Sequence, residues 1–317
     1  MLYIRLIMMI LRLRSKDKKI SGIGRCKMYR GFNLEIEKSE RQKFFEVTEE
    51  DLRNFESKLS NIVETVKSSL RESVEISFND DGDIDGNELI STWFPTIDKV
   101  DVFISHSHND SRTAKRLAIW LQEKFNLHVF LDFQVWGSAD DLLKEIDNRF
   151  SHLRTGKDGT KTYSYDKRNY TTSHIHMMLV SALMEMVHKA ELVIFLNTPN
   201  SIKPGDIEVR KTNSPWIFSE LTIASIIEKT KPVRYSNKIY ERTIKSNKYL
   251  AEVWNFNISY DVENKLSKYF PNLTLLDLEI WASKYGELKT QQTEYIHPLD
   301  ALYKIKSMNI YGDEHND

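Results

Sequence analysis

The sequence predicts an α/β fold: a doubly wound parallel sheet preceded by an N-terminal helical extension. Three observations predict it. Apolar runs at 100–105 (VDVFIS), 127–132 (LHVFLD) and 191–197 (ELVIFLN) are nearly continuous, as in strands buried on both faces. Behind the first run, Ala114, Leu117, Ala118, Leu121 and Phe125 recur at three and four, the apolar stripe of a covering helix. The alternation of strand and helix then selects a parallel sheet, because parallel neighbours need crossover connections.

Each further element has its own signal. Ser214, Pro215 and Trp216 open a helix, with Ser as N-cap and Pro at the first helical position. Helices are expected from Leu142, at 175–187, at 275–285 behind Thr274, and at 300–307, with a strand at 253–260. Ahead of the sheet, Thr48 caps a helix whose stripe runs through Leu52, Phe55, Leu59, Ile62, Val66 and Leu70. Residues 74–78 alternate as an edge strand would. The expected organisation is an extension at 1–27, a helix and strand region at 28–95, the sheet domain at 96–308, and a disordered tail at 309–317. Polar and aromatic stretches at 151–173 and 202–213 read as insertions.

The chain of 317 residues has 45 basic against 46 acidic side chains, so no global field draws it to nucleic acid or an anionic membrane. A single cysteine, Cys26, excludes an internal disulfide framework and fits a reducing, cytoplasmic compartment. The apolar segment 2–13 is shorter than the roughly 20 residues of a span and is broken by Arg5 and Arg12. No small-residue cleavage site follows it, so no secretory signal is expected; the segment reads as an upstream extension with the start at Met28, or as a short basic amphipathic anchor with Arg5 and Arg12 on one helix face. The acidic loop 80–88 matches the first half of a calcium-binding loop through Asp81, Asp83, Asp85 and Gly86. Its twelfth position is Thr92 where a bidentate Glu is needed, so it reads as an exposed turn.

In open parallel sheets, ligands sit beyond the carboxyl ends of the strands, which directs attention to the loops after Ser105, Asp132 and Asn197. The first offers Ser105, His106, Ser107 and His108 as donors and acceptors, then Asn109 and Asp110, which also suit the N-cap of the next helix. The second carries Asp132, Phe133, Trp136 and Gly137. In the helix opened by Ser214, Trp216 and Glu220 are four apart and share a face. Two H-x-H pairs, His106/His108 and His174/His176, would share a face on a strand, but the second reads as helical, so no metal is expected.

Three segments, 101–110 (DVFISHSHND), 129–132 (VFLD) and 214–221 (SPWIFSEL), stand in an order and spacing that resemble the TIR (Toll/interleukin-1 receptor) domain. The resemblance covers about 98–260, extends less closely to 308, and leaves out 1–95. It implies a flavodoxin-like fold and, as in bacterial and plant enzymes of the family, cleavage of the nicotinamide–ribose bond of NAD. Glu220 matches the family's catalytic glutamate, and Ser105, His106, Ser107, His108, Asp132, Phe133, Trp136 and Trp216 fall where substrate contacts are expected. Some bacterial members act in antiphage systems such as Thoeris, where an altered ADP-ribose signals to an effector. Self-association through TIR contacts is also implied. Animal members are adaptors that assemble through the BB loop, here matched by 133–140. The chain has no G-x-G-x-x-G fingerprint, so NAD is expected as substrate and no cofactor is expected. Two other readings stay open: a non-catalytic TIR scaffold, and a nucleoside deoxyribosyltransferase-like glycosidase.

Overall fold

Five strands, all parallel, form the central sheet, and the one at its fourth position comes from a segment that sequence reading had placed outside it. The computed structural model describes residues 28–36, 45–58, 85–94, 97, 99–131, 139–203, 210–232, 234, 259–291 and 296–306. The sheet strands are β1 (Arg30–Glu35), β2 (Val102–Ser105), β3 (Val129–Phe130), β6 (Leu192–Asn197) and β9 (Asn272–Leu273). Their spatial order is β3-β2-β6-β1-β9. β3, β2 and β6 lie side by side as strands of a doubly wound sheet do, while numbered along the chain the five strands run 3-2-4-1-5. The N-terminal β1 takes the fourth place.

Phe32 pairs with Ile194 and Val102 with Leu192, and Phe32, Phe103, Ile104, Phe130, Phe195 and Leu196 are fully buried. Pattern reading missed β1 because Arg30, Gly31, Asn33 and Glu35 interrupt its apolar residues. Two of these interruptions have a structural reason. A Cβ at Gly31 would lie 2.7 Å from the Phe270 ring, so this strand passes its neighbour closely. Asn33, though buried, donates its amide to Asn272 Oδ1 at 2.9 Å and Glu35 Oε1 at 3.1 Å.

The chain divides into two units. The larger holds the sheet together with helices α2 (Ser111–Phe125), α5 (Pro215–Ile226), α6 (Glu263–Tyr269), α7 (Leu275–Gln291) and α8 (Pro298–Ile305), and the short pair β7 (Lys211–Thr212) and β8 (Tyr260–Asp261). Helix ends follow the sequence signals. Ser214 Oγ accepts from Ile217 N at 3.2 Å, and Thr274 and Asp277 cap α7 reciprocally at 3.1 and 2.8 Å. Pro298 starts α8 two residues earlier than expected, by the same device as Pro215. Asn126 stops α2 with a left-handed backbone, φ 55°, and its N–H returns to Gln122 O. Trp281 stacks on Phe125 at 3.9 Å and donates its indole N–H to Pro298 O at 2.9 Å, joining α7 to α2 and to the start of α8.

The smaller unit holds α1 (Gly86–Trp93), α3 (Ala139–Ile146), the hairpin β4 (His152–Thr155) and β5 (Lys161–Tyr163), and most of α4 (Tyr165–Lys189). The stretch expected as an inserted loop is therefore a hairpin followed by the first nine residues of α4. Gly159, at φ 81°, makes its turn. The carboxylate of Asp147, which is buried, accepts from Arg168 Nε at 2.8 Å and Thr171 Oγ1 at 2.7 Å and so fixes the early start of α4. Asp85 caps α1 through Asn87 N and Glu88 N, a helix-start role for the last aspartate of the acidic loop. The helix capped by Thr48 is described over 49–58, with Asp51 N bonded to Thr48 Oγ1 at 3.1 Å. Its continuation, the strand at 74–78, most of the acidic loop and residues 253–258 lie outside the described residues. Tyr260, the last residue of that expected strand, belongs to the β7–β8 pair and not to the sheet.

Candidate functional site

The polar end of β2 meets the middle of α5. Ser105 closes β2, where the apolar run gives way to a hydroxyl, and it is 1% exposed. On α5, Ile217, Leu221 and Ala224 turn into the core and carry Glu220 inward with them, to 3% exposure. The Ser105 hydroxyl donates to Glu220 Oε2. This pair stands at the carboxyl end of β2, beside β6, where the chain departs from β2 toward β3 on one side and β6 lies on the other. That is the switch point of the sheet, the place where such folds open a crevice.

The loops around it are tied together. Asp110, buried at the start of α2, accepts from Thr198 Oγ1 and from Asn200 Nδ2 at 2.8 Å. Its side chain makes no cap bond, although it occupies the N-cap position. The positive end of the α2 dipole favours its charge there. Ser201 Oγ accepts from Thr198 N and donates to Leu196 O, both at 2.9 Å, so the turn after β6 is fixed to its own strand.

The other predicted residues are placed as follows. His106 is half-buried, with Nδ1 3.3 Å from Ile104 O, and Ser107 is half-buried, its carbonyl accepting from Asp110 N. His108 is exposed on a short 3-10 turn, and His174 and His176 lie on α4, so neither H-x-H pair shares a strand face. Trp216 is half-buried one turn before Glu220. Asp132, Phe133 and Trp136 lie outside the described residues. Sequence reading missed a second polar set on the same edge: Glu35 Oε1 accepts from Asn33 and Asn197 and lies 3.8 Å from Arg210. The alternation of Asn33 and Glu35 between buried Phe32 and Leu34 was its available signal.

A separate charged group stands at the opposite, amino edge. Arg234 forks across Glu191, at 2.6 and 2.8 Å, and Asp300, at 2.8 and 3.0 Å through Nε, while Tyr303 donates to Glu191 at 3.1 Å. Donor atoms of Glu191, His297 and Asp300 lie within 4.8 Å of one another, but the arginine already fills both carboxylates. Burial, reinforced by Arg234, holds His297 below the ordinary imidazole range, and burial pushes Asp300 up. Burial also works against the charge of Asp101, yet the side-chain and backbone bonds from His128 outweigh it and hold that carboxyl low.

Comparison of the chain with family models, curated proteins and solved structures gave no match.

Proposed function

We propose that the chain is a TIR-domain NAD+ nucleosidase or cyclase, with Glu220 as its catalytic carboxylate. The observation that carries this reading is the meeting of Glu220 with Ser105 at the carboxyl end of β2, on the switch point of a parallel sheet. The motif resemblance supports it, as does the side-by-side placement of β3, β2 and β6 in a parallel sheet; β1 in the fourth position departs from the connectivity the resemblance implies.

The chemistry asks little of the protein. Nicotinamide is a cationic leaving group: the C1′–N bond breaks, its electron pair leaves with neutral nicotinamide, and the ribose becomes an oxocarbenium ion. A carboxylate beside that ion stabilises it, and does so more strongly away from water. Ser105 holds Glu220 in one orientation, so little reorganisation accompanies the step. Water then adds to C1′ and loses its proton to solvent, giving ADP-ribose, or a nucleophile within the product adds and closes a ring. In this reading Ser105, His106, Ser107, His108 and Trp216 line the nucleotide, and Asp132, Phe133 and Trp136 are the further contacts that the motif resemblance implies. The chain self-associates, and its nucleotide product reaches an effector in antiphage immunity in the cytoplasm.

The near-complete burial of Glu220 favours a second reading, a TIR scaffold in which the Ser105–Glu220 bond is structural. Incubation of wild type and Glu220→Ala with NAD at high protein concentration, followed by mass spectrometry, separates the two. Nicotinamide release by wild type alone is expected, and silence from a folded, assembled wild type favours the scaffold. Release of base from deoxynucleosides, with NAD untouched, would identify the glycosidase alternative.

A further inference from the structure

We infer that the amino edge of the sheet holds a second small-molecule site, which takes a planar apolar molecule bearing one anionic group. A cavity of about 540 Å3 opens there, between the residues leading into β2, β3 and β6, the end of α2, the last turns of α7 and the start of α8. That volume is in the range of roughly 300–1,000 Å3 that ligand pockets have. It is remote from Glu220: β6 alone runs six residues between the two edges, about 20 Å.

Its walls divide by chemistry. Phe125 and Tyr285, with ring centroids 5.4 Å apart, form an aromatic side with Leu288 and Ile296 beside them. Such a wall takes a flat ring by offset or edge contact. The carboxylates at the cavity are already engaged. Asp101 accepts from His128 N at 2.7 Å and His128 Nδ1 at 2.8 Å, and Glu191 is held by Arg234 and Tyr303. Lys99 and Lys289, both exposed residues of the cavity lining, make no hydrogen bond or ion pair among the described residues, although Lys99 stands near enough to help hold the Asp101 carboxyl low. What the cavity offers a ligand is therefore an apolar wall and two exposed ammonium donors. An anion on an aromatic body satisfies both, whereas a cation would meet the lysines with no acid left to pair it.

The site is tested with two fluorescent probes of one shape on the full chain: 8-anilinonaphthalene-1-sulfonate and its uncharged counterpart, N-phenyl-1-naphthylamine. The sulfonate is expected to bind one molecule per chain, at least tenfold tighter than the neutral probe. Reversing both lysines, Lys99→Glu with Lys289→Glu, should cost the sulfonate tenfold or more and leave the neutral probe within twofold, which also shows that the variant keeps its pocket. Lys157→Glu, in the hairpin turn, should change neither, and Ile296→Trp should exclude both. Equal affinity of the two probes for wild type overturns the inference, as does undiminished sulfonate binding in the double variant or no binding to a chain shown folded by circular dichroism. Glu220→Gln should bind the sulfonate like wild type, so this site stands or falls apart from NAD cleavage.

Discussion

The Ser105 hydroxyl and the Glu220 carboxylate, 115 positions apart in sequence, meet in a hydrogen bond between two buried side chains. Glu220→Gln keeps the shape and an acceptor for Ser105, so it should leave the thermal midpoint within a few degrees of wild type. Turnover of NAD should fall by at least a hundredfold, the scale on which a stabilising group in a dry site contributes. Ser105→Ala should lower turnover less, about tenfold, because the carboxylate remains but its orientation loosens. Rate measurements beside melting curves read both. A large loss of midpoint in Glu220→Gln, with no rate to lose in wild type, would mark the pair as structural.

Arg234 holds Glu191, which is 2% exposed, and Asp300 together. Arg234→Ala leaves Glu191 with Tyr303 as its remaining side-chain donor among the described residues. Removing one partner of a buried pair costs about 3–5 kcal/mol, and urea unfolding of the variant should show a loss on that order. Arg234→Lys should recover only part of it, since an ammonium cannot fork across two carboxylates.

Lys229 contacts Ala224 O and Met28 Sδ, and burial followed by the nearby Arg30 brings its ammonium down to about 8. The unfolded chain, with a lysine near 10.4, then binds more protons than the native one between these values. Stability should rise with pH from about 8 to about 10.4, softened because part of the side chain reaches solvent. Melting curves across that window should show the rise in wild type and a flatter profile in Lys229→Met. A wild-type profile that falls there would contradict the assigned direction.

Asn126 ends α2 at φ 55°. Asn126→Gly should be neutral within a few tenths of a kcal/mol, and Asn126→Val should cost about 1–2 kcal/mol, because a β-branched residue resists the left-handed region. Equal stability of the two variants in denaturant titrations would show that the turn had rearranged.

The sequence was most legible where one pattern had one meaning. Val102, Phe103 and Ile104 announce a buried strand, and Ser214 with Pro215 announces a helix start to the residue. Both signals are local, and tertiary contacts only reinforce them. The early part of α4 was illegible because Lys167, Arg168 and Asn169 show no apolar period, and the restraint on them comes from Asp147, some twenty positions earlier. Strand β1 was illegible for a related reason: Asn33 is tolerated in the sheet through Asn272, a partner 239 positions away. Of the candidate site, Glu220 was singled out by its motif, while its pairing with Ser105 is a property of the assembled sheet.

The place of β1 between β6 and β9 has a consequence for how the molecule is made. Its first partner is finished only after residue 197 has been added, roughly 8–30 s later at ordinary rates of synthesis. Through that interval the nascent segment 30–35 has no sheet to join, and a long loop must close before its pairing is rewarded. A fragment cut at residue 96, where the expected sheet domain begins, would leave β6 and β9 facing a gap one strand wide. Two unpaired backbone edges are templates for other chains, so such a fragment should aggregate where the full chain does not.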